Sequence, residues 1–377
     1  MASTSRSLAP SPTRDVAFDR GRRAGDARAT RARAHRRRRP RASSATEIGA
    51  DVIAVAASPA PSGRGASPSP PDGYGFSAAG MIFPYHVGAW RVLSETNLIG
   101  PTTPVAGASA GALVAAFIAC GMTPDDGERA LMRVLRDCRA NGVLGRVGAV
   151  LEATLREELP RDAHERCSRG NLHVSITTPK LLGPWNAGTP DENRVGFNGG
   201  PVALDGELVS AFDTFDDLVG ALLSSCHIPL YCGWPTRAYR GKRRVDGGWT
   251  NLAPTPPGSL NATRVASFPL LDAWNATVEG DGAATGNFFA KEASFWAGWG
   301  DDESRGSLIA PDAAGGVSDV DYVTLGKWAL LPASDDILDE LVEMGRRDAA
   351  RWVEVNGFCE DRAAAAAVAT ADAATGS

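Results

Sequence analysis

From about Gly73 to Val355, short apolar runs alternate with longer stretches in which apolar residues return every three or four positions. Runs of the first kind predict strands at Tyr74–Ser77, Pro104–Ala106, Leu172–Thr177, Val195–Phe197 and Arg264–Phe268. The second kind predicts helices at Pro84–Glu95, Ala110–Cys120, Pro124–Ala140, Val147–Leu159 and Phe215–Ser224. The best-marked helix comes last, with Ser334 placed to cap it and Asp335 and Asp336 suited to its positive end. Its stripe is Ile337, Leu341, Met344, Asp348 and Trp352, in which Asp348 is the one polar member. Strands alternating with helices in this order predict an α/β fold of three layers, α/β/α, around a mainly parallel sheet. The Gly- and Ala-rich stretch Asn275 to Val317 resists assignment. Its isolated aromatics Phe288, Phe289, Phe295, Trp296 and Trp299 suggest a cover that presents rings to a lipid surface.

Charge divides the chain. Residues 1–45 hold 13 Arg, no Lys and three acids, a balance of +10, whereas the chain as a whole is −5. The body is therefore acidic, which argues against a nucleic-acid-binding surface. The leader is rich in Ser and Arg and has no apolar core. Its composition is that of a transit peptide, with plastid preferred and mitochondrion the alternative. A Pro/Ser/Gly-rich linker from Ser58 to Pro71 follows, and Ala363 to Ser377 is a low-complexity tail. The expected domains are thus 1–72 leader and linker, 73–360 folded domain with its core at 73–271 and a C-terminal helix at 334–355, and 361–377 tail. Six scattered Cys give neither a disulfide framework nor a metal site. The uncharged stretch Thr96 to Pro124 is too broken by Gly and Pro for a membrane span.

Gly107-Ala108-Ser109-Ala110-Gly111, between an apolar strand and an Ala-rich helix, reads as a tight turn that projects a serine hydroxyl into a cleft. Small neighbours permit the close backbone approach, and the N–H groups opening the helix can receive a developing oxyanion. In a chain with 42 Gly the motif is weak alone. The five His settle what kind of base is available. None follows His227, so the Ser, acid, late-His order of hydrolases is excluded. A carboxylate acting directly on serine remains, and Asp246, followed by Gly247 and Gly248, is the best candidate. His86 and His227 are disfavoured as the base. Asp125, Asp126 and Glu128 read as an acidic first helical turn, and Arg243 and Arg244 as a solvated hairpin edge.

Together these residues resemble the patatin-like phospholipase family, particularly its adiponutrin and triglyceride-lipase branch. The elbow at Ser109 and the turn at Asp246-Gly247-Gly248 correspond to the family's serine and aspartate motifs, in the family's order. Phe76 to Gly88 is similar to its glycine-rich oxyanion loop and first helix, and Ser224-Ser225-Cys226-His227-Ile228-Pro229 to the segment preceding its aspartate. The resemblance implies hydrolysis of glycerolipid carboxylic esters by a Ser109–Asp246 dyad at a membrane or droplet surface, with no cofactor or metal. It implies an oxyanion hole drawn from Ala78, Ala79, Gly80 and Ala110. The family usually has glycine where Ala78 and Phe83 stand, and alanine tolerates positive φ poorly, so a slow enzyme is expected. The same departure motivates the alternative, a catalytically silent member that binds lipid or a partner protein.

Overall fold

The computed structural model describes residues 69–181, 202–269, 307–311, 313, 320 and 322–358. The leader, the strand expected at Val195–Phe197, the aromatics Phe288 to Trp299 and the tail lie outside the described residues, as does all but the end of the linker. The strands are β1 (Gly73–Phe76), β2 (Val105–Ala108), β3 (Leu172–Leu181), β4 (Val202–Val209), β5 (Arg237–Tyr239), β6 (Lys242–Arg244), β7 (Ala262–Val265) and β8 (Leu308–Ile309). The helices are α1 (Pro84–Glu95), α2 (Ala110–Ala119), α3 (Pro124–Asn141), α4 (Val147–Glu158), α5 (Ala163–Cys167), α6 (Phe215–Ser225), α7 (Tyr322–Leu330) and α8 (Asp335–Val355). The five early helices and α8 stand within a few residues of their expected bounds. Strands β4 and β8 and helices α5 and α7 were not anticipated, and the β5/β6 pair was foreseen only as a hairpin edge at Arg243 and Arg244.

Six strands form one sheet in the order β4-β3-β2-β1-β7-β8, parallel throughout except for the β3/β4 pair. This mainly parallel sheet, flanked by helices, is the expected α/β fold. Strands β1, β2 and β7 are buried at every position, as a parallel sheet covered on its faces requires. Chain order runs outward from β1 through β2 to β3 and returns beside β1 as β7. The strand order therefore reverses between β1 and β7, and the crevice above the carboxyl ends of β1 and its neighbours is the usual place for a ligand in such sheets.

Helix α3 opens with Thr123 and Asp126 capping one another reciprocally, and Arg91 of α1 bridges Asp125 and Glu128 at 2.6 and 2.7 Å. That confirms the acidic first turn. Helix α8 lies along α1 so closely that a Cβ on Gly88 would sit 1.9 Å from the Val342 carbonyl and one on Gly345 2.0 Å from that of Tyr85. Tyr85 donates to Asp348 at 2.8 Å, which explains the one polar member of the α8 stripe. Ser334 occupies the cap position of α8 but its hydroxyl makes no cap bond. Asp335 instead accepts from Arg139 at 2.8 Å. Among the described residues, no helix is long and apolar enough to cross a membrane.

Candidate active site

Ser109 joins β2 to α2 with φ 52° and ψ −129°, a backbone conformation that L-residues adopt only under constraint. The constraint comes from two glycines. A Cβ on Gly107 would lie 2.4 Å from the Gly111 carbonyl oxygen, and one on Gly111 2.3 Å from that of Phe76 and 2.4 Å from that of Ser77. The turn is thus pressed against the end of β1, and the Ser109 N–H is fixed by donation to Ser225 Oγ at 2.9 Å.

Asp246 arrives from the β5/β6 hairpin, on a bridge between Val245 and Thr177 of β3. Its N–H donates to the His227 carbonyl at 2.9 Å, and its Oδ1 accepts from the Gly248 N–H at 2.8 Å. Gly247 lies against β3, where an added Cβ would meet the Ser175 carbonyl oxygen at 2.0 Å. The carboxyl is 4% exposed, and burial pushes its pKa up to about 6, against the weaker pull of Ser109 and the Gly248 N–H. The Ser109 hydroxyl is near enough to favour the ionised form. Even so, Asp246 Oδ2 receives no hydrogen bond of ordinary distance and angle from the described residues. It is a buried acceptor with spare capacity beside a serine.

Both side chains open into one cavity of about 400 Å³, lined also by Ala78, Ala79, Gly80 and Gly248. Trp249, Leu252, Phe268 and Leu330 make its wall apolar. The expected oxyanion loop is the 3-10 turn at Gly80–Ile82 and the residues before it. Here the structure corrects the sequence reading at Ala78. Its N–H is already bound to the Leu252 carbonyl at 2.7 Å, so it does not face an oxyanion. The N–H groups of Ala79, Gly80 and Ala110 have no such acceptor among the described residues. Nor does Ala78 require glycine. Among described non-glycine residues only Asn97, Ser109, Leu230 and Arg240 have positive φ, whereas Gly80 sits at φ 55° and carries the left-handed step itself. The reason given for a slow enzyme therefore fails.

The contribution of α7 had no sequence signal. The Ala329 carbonyl at the end of α7 packs on Gly80, 2.3 Å from where a Cβ would be. Tyr231 ties the two together, its hydroxyl donating to the Leu330 carbonyl at 2.5 Å and reaching Met81 Sδ at 3.6 Å. The polar-to-proline segment ending at Pro229 marks Ser225 and Ile228 as neighbours of the site, although α7 is marked by no motif.

The histidines are spoken for. His86 is fully buried, its ring nitrogen 3.3 Å from Ser77 Oγ, and burial pushes it down to about 3, so it is neutral at any working pH. The His227 ring bonds the Trp234 carbonyl at 2.6 Å. Neither lines the cavity. Arg243 is exposed, as a hairpin edge would have it, but Arg244 is not solvated. It is 2% exposed and bound to Glu207 and Thr178, both at 2.6 Å, with Tyr239 beneath its guanidinium. Among the described residues no three His, Cys, Asp or Glu side chains are grouped to hold a metal ion.

The chain is similar to known proteins. The patatin-like phospholipase family profile matches residues 76–257, from the end of β1 through the Asp246 turn. Mouse omega-hydroxyceramide transacylase is 30% identical over 191 residues, 49% of this chain and 28% of that protein. Mouse 1-acylglycerol-3-phosphate O-acyltransferase Pnpla3 is 28% identical over 294 residues, 75% of this chain and 59% of its own. The chain thus spans between about a quarter and three-fifths of these relatives' lengths. VipD of Legionella pneumophila aligns with 76% of the chain and 67% of its own at 11% identity, with a TM-score of 0.42. Human patatin-like phospholipase domain-containing protein 4 is 30% identical over 200 residues, half of this chain and 68% of that protein. The chain belongs to the patatin-like phospholipase family.

Proposed function

We propose that the chain is a lipid acyl hydrolase working through Ser109 and Asp246. The observation that carries this reading is a strained serine and a buried carboxylate with one unused oxygen, sharing an apolar cavity with free backbone N–H groups. Asp246 Oδ2 takes the Ser109 proton as Oγ attacks the ester carbonyl carbon. Negative charge on the carbonyl oxygen is received by N–H groups of Ala79, Gly80 and Ala110. The ester C–O bond then breaks and Asp246 returns its proton to the departing alkoxide. Water repeats the sequence on the acyl-serine: its proton goes to Asp246, its oxygen to the acyl carbon, and a carboxylic acid leaves as Ser109 regains its proton.

The names of the two mouse relatives supply a second reading, acyl transfer to a lipid hydroxyl, and the apolar wall of Trp249, Leu252, Phe268 and Leu330 favours it, since such a wall suits a lipid acceptor better than water. The experiment is to incubate the full chain with vesicles of phospholipid, galactolipid or triacylglycerol, with and without monoacylglycerol or lysophospholipid, and to resolve the products. Free fatty acid alone supports hydrolysis, and new acylated acceptor supports transfer. Failure of a serine-directed phosphonate to label the wild-type chain, with Ser109→Ala as the control, would defeat both.

The +10 leader is proposed to direct the chain to plastids. Fusion of residues 1–70 to a fluorescent protein tests it, and diffuse cytosolic signal in plant or algal cells would overturn it.

A further inference from the structure

A second and smaller cavity also begins at Ser109, and its lining does not include Asp246. It shares only Gly80, Ser109 and Ile228 with the cavity that holds the carboxylate. Leu113 of α2, Leu131 and Leu135 of α3 and Leu151 of α4 line it, each no more than 4% exposed. Met81 and Tyr231 close it toward the oxyanion turn. The Tyr231 hydroxyl is engaged by Leu330 and Met81 and offers the pocket nothing polar. A narrow apolar pocket that begins at a nucleophile suits an unbranched hydrocarbon chain.

We infer that this inner pocket holds the acyl chain of the substrate and measures its length, while the wider cavity beside Asp246 holds the alcohol portion; the inference rests on Ser109 being the nucleophile. The pocket measures about 50 Å³. A water-sized group needs roughly 10–15 Å³ in this measure, so the pocket has room for roughly three to five methylene-sized groups. Chains of that length bury fully, and longer ones must displace the leucines of α3 and α4 or remain in the outer cavity. The pocket therefore selects short acyl chains. Its limit is set by side chains outside every motif, which is why the sequence alone did not disclose it.

The test is a series of p-nitrophenyl esters from two to sixteen acyl carbons, hydrolysed by the full chain. Up to the limit, kcat/KM is expected to rise by about fourfold per methylene, the factor expected for burying one. Beyond it the rise stops. Leu135→Ala and Leu151→Ala each move the break to longer chains by roughly two carbons or more, and Val134→Leu moves it to shorter ones. Circular dichroism establishes that each variant is folded. The same break is expected, without catalysis, when Ser109→Ala is titrated calorimetrically with free fatty acids of four to sixteen carbons. A break that stays at one length in all three variants overturns the inference, as does a smooth rise to sixteen carbons in the wild type. Hydrolysis of no ester, together with a length break in the titration, overturns the proposed reaction and leaves the pocket standing.

Discussion

The two turns that meet at the cavity are held by different means. The Ser109 turn is local: strand, serine and helix are continuous in sequence, and strain at φ 52° is imposed by glycines two residues away on each side. The Asp246 turn is relaxed, with φ −49° at the aspartate, and is fixed from a distance by Val245 bridging Thr177 and by the His227 carbonyl. One turn stores backbone strain and the other stores electrostatic cost. Under the proposed function Ser109 needs only its position, whereas Asp246 must also be a stronger base than an exposed carboxylate, and burial pushes its pKa in that direction.

The sharpest way to separate the two costs is to remove each side chain in turn. Ser109→Ala is expected to lower ester hydrolysis by about 10³-fold or more and to leave thermal stability nearly unchanged, because the strained backbone stays. Asp246→Asn is expected to lower it by roughly 10²–10⁴-fold and to make the protein more stable at neutral pH. An ionised carboxylate whose folded pKa lies about two units above its ordinary value costs on the order of 3 kcal/mol. The sign follows from the raised value of about 6. Well below pH 4 the carboxyl is neutral in both folded and unfolded chains and costs nothing. The cost grows between pH 4 and 6 and is constant above. Urea melts at pH 7 and pH 3 therefore distinguish this variant from wild type only at the higher pH. A stability loss at pH 7 would show that Asp246 is held by favourable contacts and refute the comparison.

Under the proposed function the same titration sets the wild-type rate. As pH falls through about 6, kcat/KM drops and then approaches tenfold per unit, with a single ionisation. A rate independent of pH down to 4 would mean that the base is another group. Smaller effects come from the oxyanion turn. Gly80→Ala places a Cβ against the Ala329 carbonyl at φ 55°, and kcat is expected to fall roughly tenfold with KM little changed. Ala78→Gly, the substitution that family resemblance suggests should quicken the enzyme, is expected to change kcat less than about twofold, since Ala78 is not left-handed and its N–H is engaged. A large gain from it would show that the loop works in another conformation.

What could be read in the sequence follows the same division. The Ser109 turn was legible because its requirements, two glycines and an apolar strand and helix, are adjacent. Asp246 was legible only by eliminating the histidines and from its two glycines, because the contacts that bury it come from β3 and from the segment after α6. Strand β4 was missed because its face alternates polar residues at Asp205 and Glu207, and the positive φ was assigned to Ala78 when Gly80 carries it. Helix α7 was invisible as part of the site. Its role depends on a carbonyl oxygen, and a backbone atom leaves no residue type behind as a signature.

The seam between α1 and α8 has a bearing on how the chain is made. Synthesis delivers α1 some 250 residues before α8. Until then the groove that Gly88 leaves for Val342 is empty, and Tyr85 has no carboxylate to meet. Such distant pairing must await loop closure, so folding of the catalytic layers cannot be completed in step with translation. A ribosome stalled before residue 334 would present a nascent chain with its Ser109 turn already synthesised and the apolar flank of its first helix still open, the form that a chaperone would be called on to hold.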